Sequence, residues 1–242
     1  MKIPPLDKVG GKIVNITTIL LDAGGVILDE SEHEEARAKI IVDILSSIVM
    51  GYSIGSYHSD IEEAVFSFCP KTYEFVFWKH LKDDLSLYGK LYESYLFRWE
   101  KQKPPLKLSR GLEKELREIC REFKIGIAGQ YGQEILAFLE QQAILDCFTY
   151  RLTQDDFPVT KPDPRYFEQI TKAFGVTPQE CIMIGDRIDN DIVPAKQLGM
   201  KTILIRAGLH RNQQPRIPFE TPDLEMNGVV GLAKTVKDLA ES

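Results

Sequence analysis

Three short apolar runs in the chain end abruptly in small or acidic residues. They are Thr17 to Leu21 before Asp22, Ile125 to Ala128 before Gly129, and Cys181 to Ile184 before Gly185-Asp186. A fourth, Thr202 to Ile205, stops at Arg206 and Gly208. Runs this short, bounded by turn residues, predict buried strands. Between and after them, apolar residues recur at helical spacing: Leu112, Leu116, Ile119, Cys120, Phe123; then Ile135, Leu136, Phe138, Leu139; then Tyr166, Phe167, Ile170, Phe174, closing at Gly175; then Ile192, Ala195, Leu198, closing at Gly199. A glycine after the last apolar residue is a helix stop. Near-continuous apolar strands alternating with helices predict an α/β fold, a doubly wound, Rossmann-like parallel sheet covered on both faces. Ligands bind such sheets at the carboxyl ends of their strands. Asp22, Gly129 and Asp186 are therefore expected to meet, although they are distant in sequence.

Residues 31–106 break this rhythm. Ala36, Ile40, Ile41, Ile44, Leu45 and Ile48 repeat at helical spacing, Ser59-Asp60-Ile61-Glu62 fits a capping box opening a second helix, and Leu87 to Trp99 is helical and aromatic-rich. Lys103-Pro104-Pro105 reads as a return linker. The expected organisation is a core of residues 1–30 and 107–242 with a helical cap inserted at 31–106. More than half of the aromatics and both Trp residues fall in the insertion. Most of them suffice as the core of a small helical unit. Val229, Val230, Leu232, Ala233, Val236 and Leu239 predict a final helix after a polar, Pro-rich loop at His210 to Thr221, whose His210-Arg211 pair reads as solvated.

Composition narrows the function class. With 242 residues, 43% apolar, 27% charged and net charge -6, the chain has the make-up of a soluble globular protein. It carries no electrostatic footprint for nucleic acid or anionic lipid, and no apolar stretch long enough to span a membrane. Cys69, Cys120, Cys147 and Cys181 are scattered without zinc-like spacing. Reduced thiols and a cytoplasmic location are expected. The first residues lack the apolar run of a signal peptide. A monomer and a homodimer fit equally.

Candidate chemistry lies in three stretches. Leu20-Leu21-Asp22-Ala23-Gly24-Gly25 puts a carboxylate at a strand end, then a glycine turn whose exposed N–H groups can hold an anion. Gly185-Asp186-Arg187-Ile188-Asp189-Asn190-Asp191 gathers acidic groups at another strand tip, a donor set suited to Mg²⁺. Thr160-Lys161-Pro162-Asp163-Pro164 places a cation before a proline-initiated helix. Each stretch alone reads equally well as a turn, a capped helix start or a surface lysine.

Together, across residues 17–30 and 107–210, they resemble the haloacid dehalogenase-like superfamily. The resemblance implies that Asp22 is the nucleophile attacking a phosphoryl group and that Lys161 offsets charge. It implies metal contacts from Asp22, Asp186, Asp191 and the Gly24 backbone carbonyl to Mg²⁺, and a small phosphorylated substrate held near Gly25, Gly129 and Gln130. Two positions depart from the family's phosphatases. The aspartate that serves as general acid two residues after the nucleophile is Gly24 here, and the Ser or Thr ending the second motif is Gly129. Several readings follow from these losses. Leaving groups that need little protonation would suit the site, or a nearby group would take over, with Glu30 and His33 nearest in sequence. The phosphonatase branch has a small residue at the Gly24 position and uses a cap lysine, for which Lys39 is one candidate. A weak relative that only binds a phosphorylated ligand or partner is the rival from another class.

Overall fold

The computed structural model describes residues 15–242. The expectation that the first residues form no signal peptide falls on residues 1–14, outside those described, as does the start of the expected core. Five parallel strands, β1 (Thr18–Leu21), β2 (Lys124–Ile127), β3 (Cys181–Gly185), β4 (Lys201–Ile205) and β5 (Leu224–Met226), form one sheet in the order β2-β1-β3-β4-β5. Side chains alternate across the sheet because successive strand residues point to opposite faces. Ile19 and Leu21, Ile125 and Ile127, Ile182 and Ile184, and Ile203 and Ile205 bury one face. Leu20 and Met183 bury the other. The first face is covered by helices that include Leu112 and Leu116, Ile135 and Leu139, and Leu232 and Val236. The second is covered by Tyr166, Phe167, Ile170 and Phe174. In this strand order the switch point falls between β1 and β3, so a crevice opens where Asp22 and Asp186 leave their strands.

Between β1 and the rest of the sheet run α1 (Ser31–Ser46), α2 (Ile54–Phe66), α3 (Thr72–Leu81) and α4 (Leu85–Gln102). They pack on one another around a separate apolar cluster containing Ile41, Leu45, Tyr57, Phe77 and Tyr95. The core side continues with α5 (Leu112–Ile119), α6 (Glu134–Gln141), α7 (Pro164–Phe174), α8 (Val193–Gln197) and α9 (Leu232–Glu241).

Three elements differ from the sequence expectation. The N-cap of helix α2 lies six residues before the one proposed at Ser59. Ser53 is its N-cap, with Ser56 returning the bond, and Asp60 lies buried inside the helix. Its carboxylate accepts from Tyr52 Oη at 2.9 Å and from Lys79 Nζ at 2.7 Å, and contacts His80 Nε2 at 2.7 Å. Helix α3 has no side-chain cap to announce it. Strand β5 is three residues on the sheet edge, two of them exposed, too short and too polar to stand out as an apolar run. Cys181 and Cys147 are buried and Cys69 and Cys120 half-buried, all as free thiols. Burial and the neighbouring Cys120 thiol push the Cys147 thiol up to about 12. Among the described residues no helix is long and apolar enough to cross a membrane.

Candidate active site

Asp22 is the first residue past β1, yet its backbone N–H still donates to the Ile184 carbonyl of β3 at 2.8 Å. The sheet thereby fixes its position. Asp186 follows β3 directly. The chain then makes a single π-helical turn over Ile188–Ile192, a wide turn that often marks functional positions. It closes on itself when the Arg187 N–H donates to Asp191 Oδ2 at 3.0 Å. Lys161 arrives from the turn before α7, where Asp163 caps the helix by accepting from the Arg165 N–H at 2.9 Å. Its Nζ lies 2.6 Å from Asp22 Oδ1 and 2.5 Å from Asp191 Oδ1, with its side chain only 1% exposed.

Asp22, Asp186 and Asp191 each offer an oxygen within 4.8 Å of the others. Burial lowers the proton affinity of Lys161, but Asp191 and Asp22 outweigh it and hold the ammonium charged. Burial pushes Asp191 up to about 6 against the pull of Lys161. Burial, reinforced by the Asp22 and Asp191 charges, holds Asp186 well above the usual carboxylate range. Three buried carboxylates thus face one ammonium, and among the described residues Asp186 receives no hydrogen bond and no ion pair. A buried charge without a partner is costly. The donor set, all hard oxygens with excess negative charge, fits a divalent cation.

A cavity of about 370 Å³ opens above these carboxylates, between the strand ends and the helices of residues 31–102. Arg37, Tyr73, Tyr131, Arg187 and His210 contribute to its wall. The Arg37 guanidinium sits 3.6 Å from the Trp99 ring centroid and 4.5 Å from that of Tyr73, and donates to the Tyr95 hydroxyl. Beside it Glu34 accepts from the Tyr73 hydroxyl, and burial pushes its carboxyl up to about 7. The loop after β4 joins core and helices. Leu209 packs against the helical cluster, while Gln213 accepts from the Ile188 N–H at 2.6 Å and donates to Asp189 at 2.8 Å. His210, read from sequence as half of a solvated basic spot, is buried instead. Burial, with Arg187 nearby, pushes it down to about 3, so it is neutral.

The remaining candidates divide. Gly24 and Gly25 stand beside Asp22. The Gln130 carboxamide donates to Thr160 Oγ1 at 2.8 Å and to the Lys161 carbonyl at 3.2 Å, which spends both its N–H groups on holding the lysine turn. His33 packs on Trp99 with ring centroids 5.5 Å apart and does not line the cavity. Lys39 is exposed, paired to Glu35 at 2.6 Å, and also lies outside the cavity wall. Sequence reasoning did not find Arg37, Tyr131 or the burial of His210. No local pattern marks them, because only tertiary packing brings them to the wall of the cavity that Asp22 also lines.

A family model described as HAD-hydrolase-like matches residues 159–229. The glyceraldehyde 3-phosphate phosphatase of Methanopyrus kandleri is 36% identical over 87 residues, 36% of this chain and 37% of that relative. The match thus spans little more than a third of that relative's length. The solved HAD phosphatase of Thermococcus onnurineus covers 91% of this chain and 98% of its own at 24% identity, with a TM-score of 0.57. The HAD-hydrolase YfnB of Bacillus subtilis, solved bound to magnesium, covers 92% and 99% at 16% identity, with a TM-score of 0.62. At these identities the structural likeness speaks for the fold. The chain thus resembles haloacid dehalogenase-like (HAD) hydrolases in sequence over residues 159–229 and in fold along most of its length.

In this HAD-like fold the motif glycines sit where side chains would collide. Gly25 has φ +68°, and a β-carbon there would meet Asp186 Oδ2 at 2.7 Å. A β-carbon on Gly24 would lie 2.6 Å from Glu30 Oε2. One on Gly129 would lie 2.5 Å from the Ala23 β-carbon and 2.7 Å from the Ala23 nitrogen. The Gly129 carbonyl also accepts from Tyr166 Oη at 3.1 Å, tying α7 to the end of β2. The hydroxyl missing at 129 therefore reflects a close approach of two backbones.

Proposed function

We propose that the chain is a Mg²⁺-dependent phosphoric monoester hydrolase acting on a small phosphorylated metabolite through Asp22. The observation that carries this is Lys161, clamped between Asp22 and Asp191 while Asp186 lies beside them without a proton donor. A nucleophile held by a buried cation, within a carboxylate set that fits a divalent cation, suits attack on an anionic phosphoryl group. Asp22, Asp186, Asp191 and the Gly24 carbonyl would hold Mg²⁺, which supplies charge neutralisation for the transferring group.

Asp22 performs the covalent work. One carboxylate oxygen forms a bond to phosphorus as the bond from phosphorus to the alcohol oxygen breaks, and that oxygen leaves with a proton. Water then adds to phosphorus, the Asp22–phosphorus bond breaks, and inorganic phosphate departs. Lys161 remains protonated throughout, stabilising the carboxylate before attack and the phosphoryl oxygens after it. The Gly129 N–H would contact a phosphoryl oxygen in place of the absent hydroxyl.

Residues 31–106 act as a cap, and the cavity of about 370 Å³ beneath them suits a small molecule. Lys71 lines that cavity, but Glu74 at 2.9 Å raises its proton affinity. A protonated amine does not form an imine, which disfavours the phosphonatase reading. Dehalogenation is disfavoured by the Asp186–Asp191 pair, which it does not need. Four free thiols favour a reducing, cytoplasmic setting.

The test is phosphate release from a panel of sugar, triose and acyl phosphates and phosphonoacetaldehyde, with and without Mg²⁺, alongside Asp22→Asn. Mg²⁺-dependent release lost in the variant, with an unchanged circular dichroism spectrum, is expected. No release from any substrate would favour the rival, a ligand-binding relative.

A further inference from the structure

We infer that Glu30 is the catalytic acid–base residue of this site, its carboxyl occupying the space left by the missing side chain of Gly24. The inference rests on the phosphatase reading above and supplies the group that reading lacks.

The geometry is specific to these two residues. All three atoms of the Glu30 carboxyl group crowd the β-carbon position of Gly24, at 2.6, 3.1 and 3.4 Å for Oε2, Cδ and Oε1. The carboxyl therefore reaches back over the glycine turn to the position from which an aspartate at 24 would act. Chain direction makes this possible. Residue 24 lies in the turn after β1, and Glu30 is the residue on which α1 begins, with its own carbonyl accepting the Glu34 N–H at 2.8 Å. A residue at a helix start has a fixed backbone and a side chain free to fold back over the preceding turn.

The carboxyl is also held in place. Tyr131, on the loop after β2, donates its hydroxyl to Glu30 Oε1 at 2.9 Å. That leaves Oε2, the oxygen nearest Gly24, without a hydrogen-bond partner among the described residues, and Glu30 lines the cavity whose wall also includes Asp22, Gly24 and Asp186. One oxygen is anchored and the other open. Such an arrangement suits proton transfer at a defined atom. A larger residue at 24 would exclude Glu30 from this position, so Gly24 and Glu30 form a matched pair: the glycine makes the space and the glutamate fills it.

One proton cycles through Glu30 over the two half-reactions. As Asp22 attacks phosphorus and the bond to the alcohol oxygen breaks, the electron pair stays on that oxygen. It takes the proton of the Glu30 carboxylic acid, leaving as the neutral alcohol. The Glu30 carboxylate then accepts a proton from water as the water oxygen bonds to phosphorus and the Asp22–phosphorus bond breaks. Phosphate leaves, and Glu30 is again protonated for the next cycle.

The experiment compares wild type, Glu30→Gln, Glu30→Ala and Gly24→Asp/Glu30→Ala with Mg²⁺, using an alkyl phosphate and the activated ester 4-nitrophenyl phosphate. Melting curves check that each variant is folded, and Glu30→Gln keeps the Tyr131 contact. The expected loss of kcat for Glu30→Gln is about 10²- to 10⁴-fold on the alkyl ester. On the activated ester, nitrophenol release should show a burst followed by slow turnover, because attack needs little protonation but water activation is lost. Moving the carboxyl back to residue 24 in the double variant should recover at least about tenfold over Glu30→Ala, a share of the acid–base contribution. Wild-type rates for Glu30→Gln, or an equal loss on both esters without a burst, would overturn the role of Glu30 while leaving Asp22 catalysis intact. A wild type that forms no phosphoenzyme and releases no phosphate would overturn both readings together.

Discussion

Gly129 and Ala23 approach so closely that a β-carbon on Gly129 would lie 2.5 Å from the Ala23 β-carbon and 2.7 Å from its backbone nitrogen. The ends of β1 and β2 are thus pressed together at the point where Asp22 must be held. Restoring a hydroxyl with Gly129→Ser is expected to destabilise the protein by about 1–3 kcal/mol through overpacking and to lower kcat. Trimming the partner with Ala23→Gly should give little recovery, because the backbone nitrogen still obstructs. Chemical denaturation and phosphate release on the single and double variants check this. A more active Gly129→Ser enzyme would contradict it.

The excess negative charge at Asp22, Asp186 and Asp191 predicts stabilisation by metal. Mg²⁺ at about 100 times its dissociation constant should add about 2.7 kcal/mol to unfolding free energy, seen as a raised Tm that EDTA reverses. Asp186→Asn should raise the metal-free Tm, because it removes a buried carboxylate that has no partner, and should blunt the Mg²⁺ response.

Lys161 is the only cation reaching these carboxylates among the described residues. Lys161→Met would strand two buried carboxylates, at a cost of about 3–5 kcal/mol. Added Mg²⁺ is expected to restore part of that stability and none of the turnover. Urea midpoints with and without Mg²⁺ separate the two effects.

His210 sets an acid limit. Burial, with Arg187 beside it, depresses its folded-state value from 6.5 to about 3. The unfolded chain therefore binds a proton that the folded one refuses. The stabilising contribution is full above 6.5 and falls as pH drops from 6.5 toward 3, by up to about 1.4 kcal/mol per pH unit. His210→Gln should flatten that decline, so that wild type and variant converge or cross between pH 7 and pH 5. Parallel denaturation profiles would show that the imidazole is not the source.

The sheet was readable in sequence where burial on both faces enforces continuous apolar runs. Thr17 to Leu21 and Cys181 to Ile184 match β1 and β3 to within a residue, and Gly175 ends α7 with φ +68°. Strand β5 was not readable, because Leu224 and Glu225 are exposed on the edge and need no apolar pattern. In α2 the local Ser59-Asp60-Ile61-Glu62 pattern misled, since Asp60 serves Tyr52, Lys79 and His80 instead of a helix start. At the site, Asp22, Lys161, Asp186 and Asp191 could be named from motif spacing. Tyr131, Arg37 and His210 could not, because their proximity to Asp22 is created by packing between distant elements. Glu30 could be named only as a neighbour in sequence. Its reach over Gly24 is a property of the turn into α1.

Phosphorylation of Asp22 can be read directly on the residue. Enzyme turning over a phosphate ester found in the panel is acid-quenched and treated with borohydride, which reduces an aspartyl-phosphate to homoserine, and residue 22 is identified by peptide mass spectrometry. Homoserine at residue 22, formed only with substrate and Mg²⁺ and absent in Asp22→Asn, is the predicted result. Steady phosphate release with unmodified Asp22, or with the modification on another carboxylate, would contradict it.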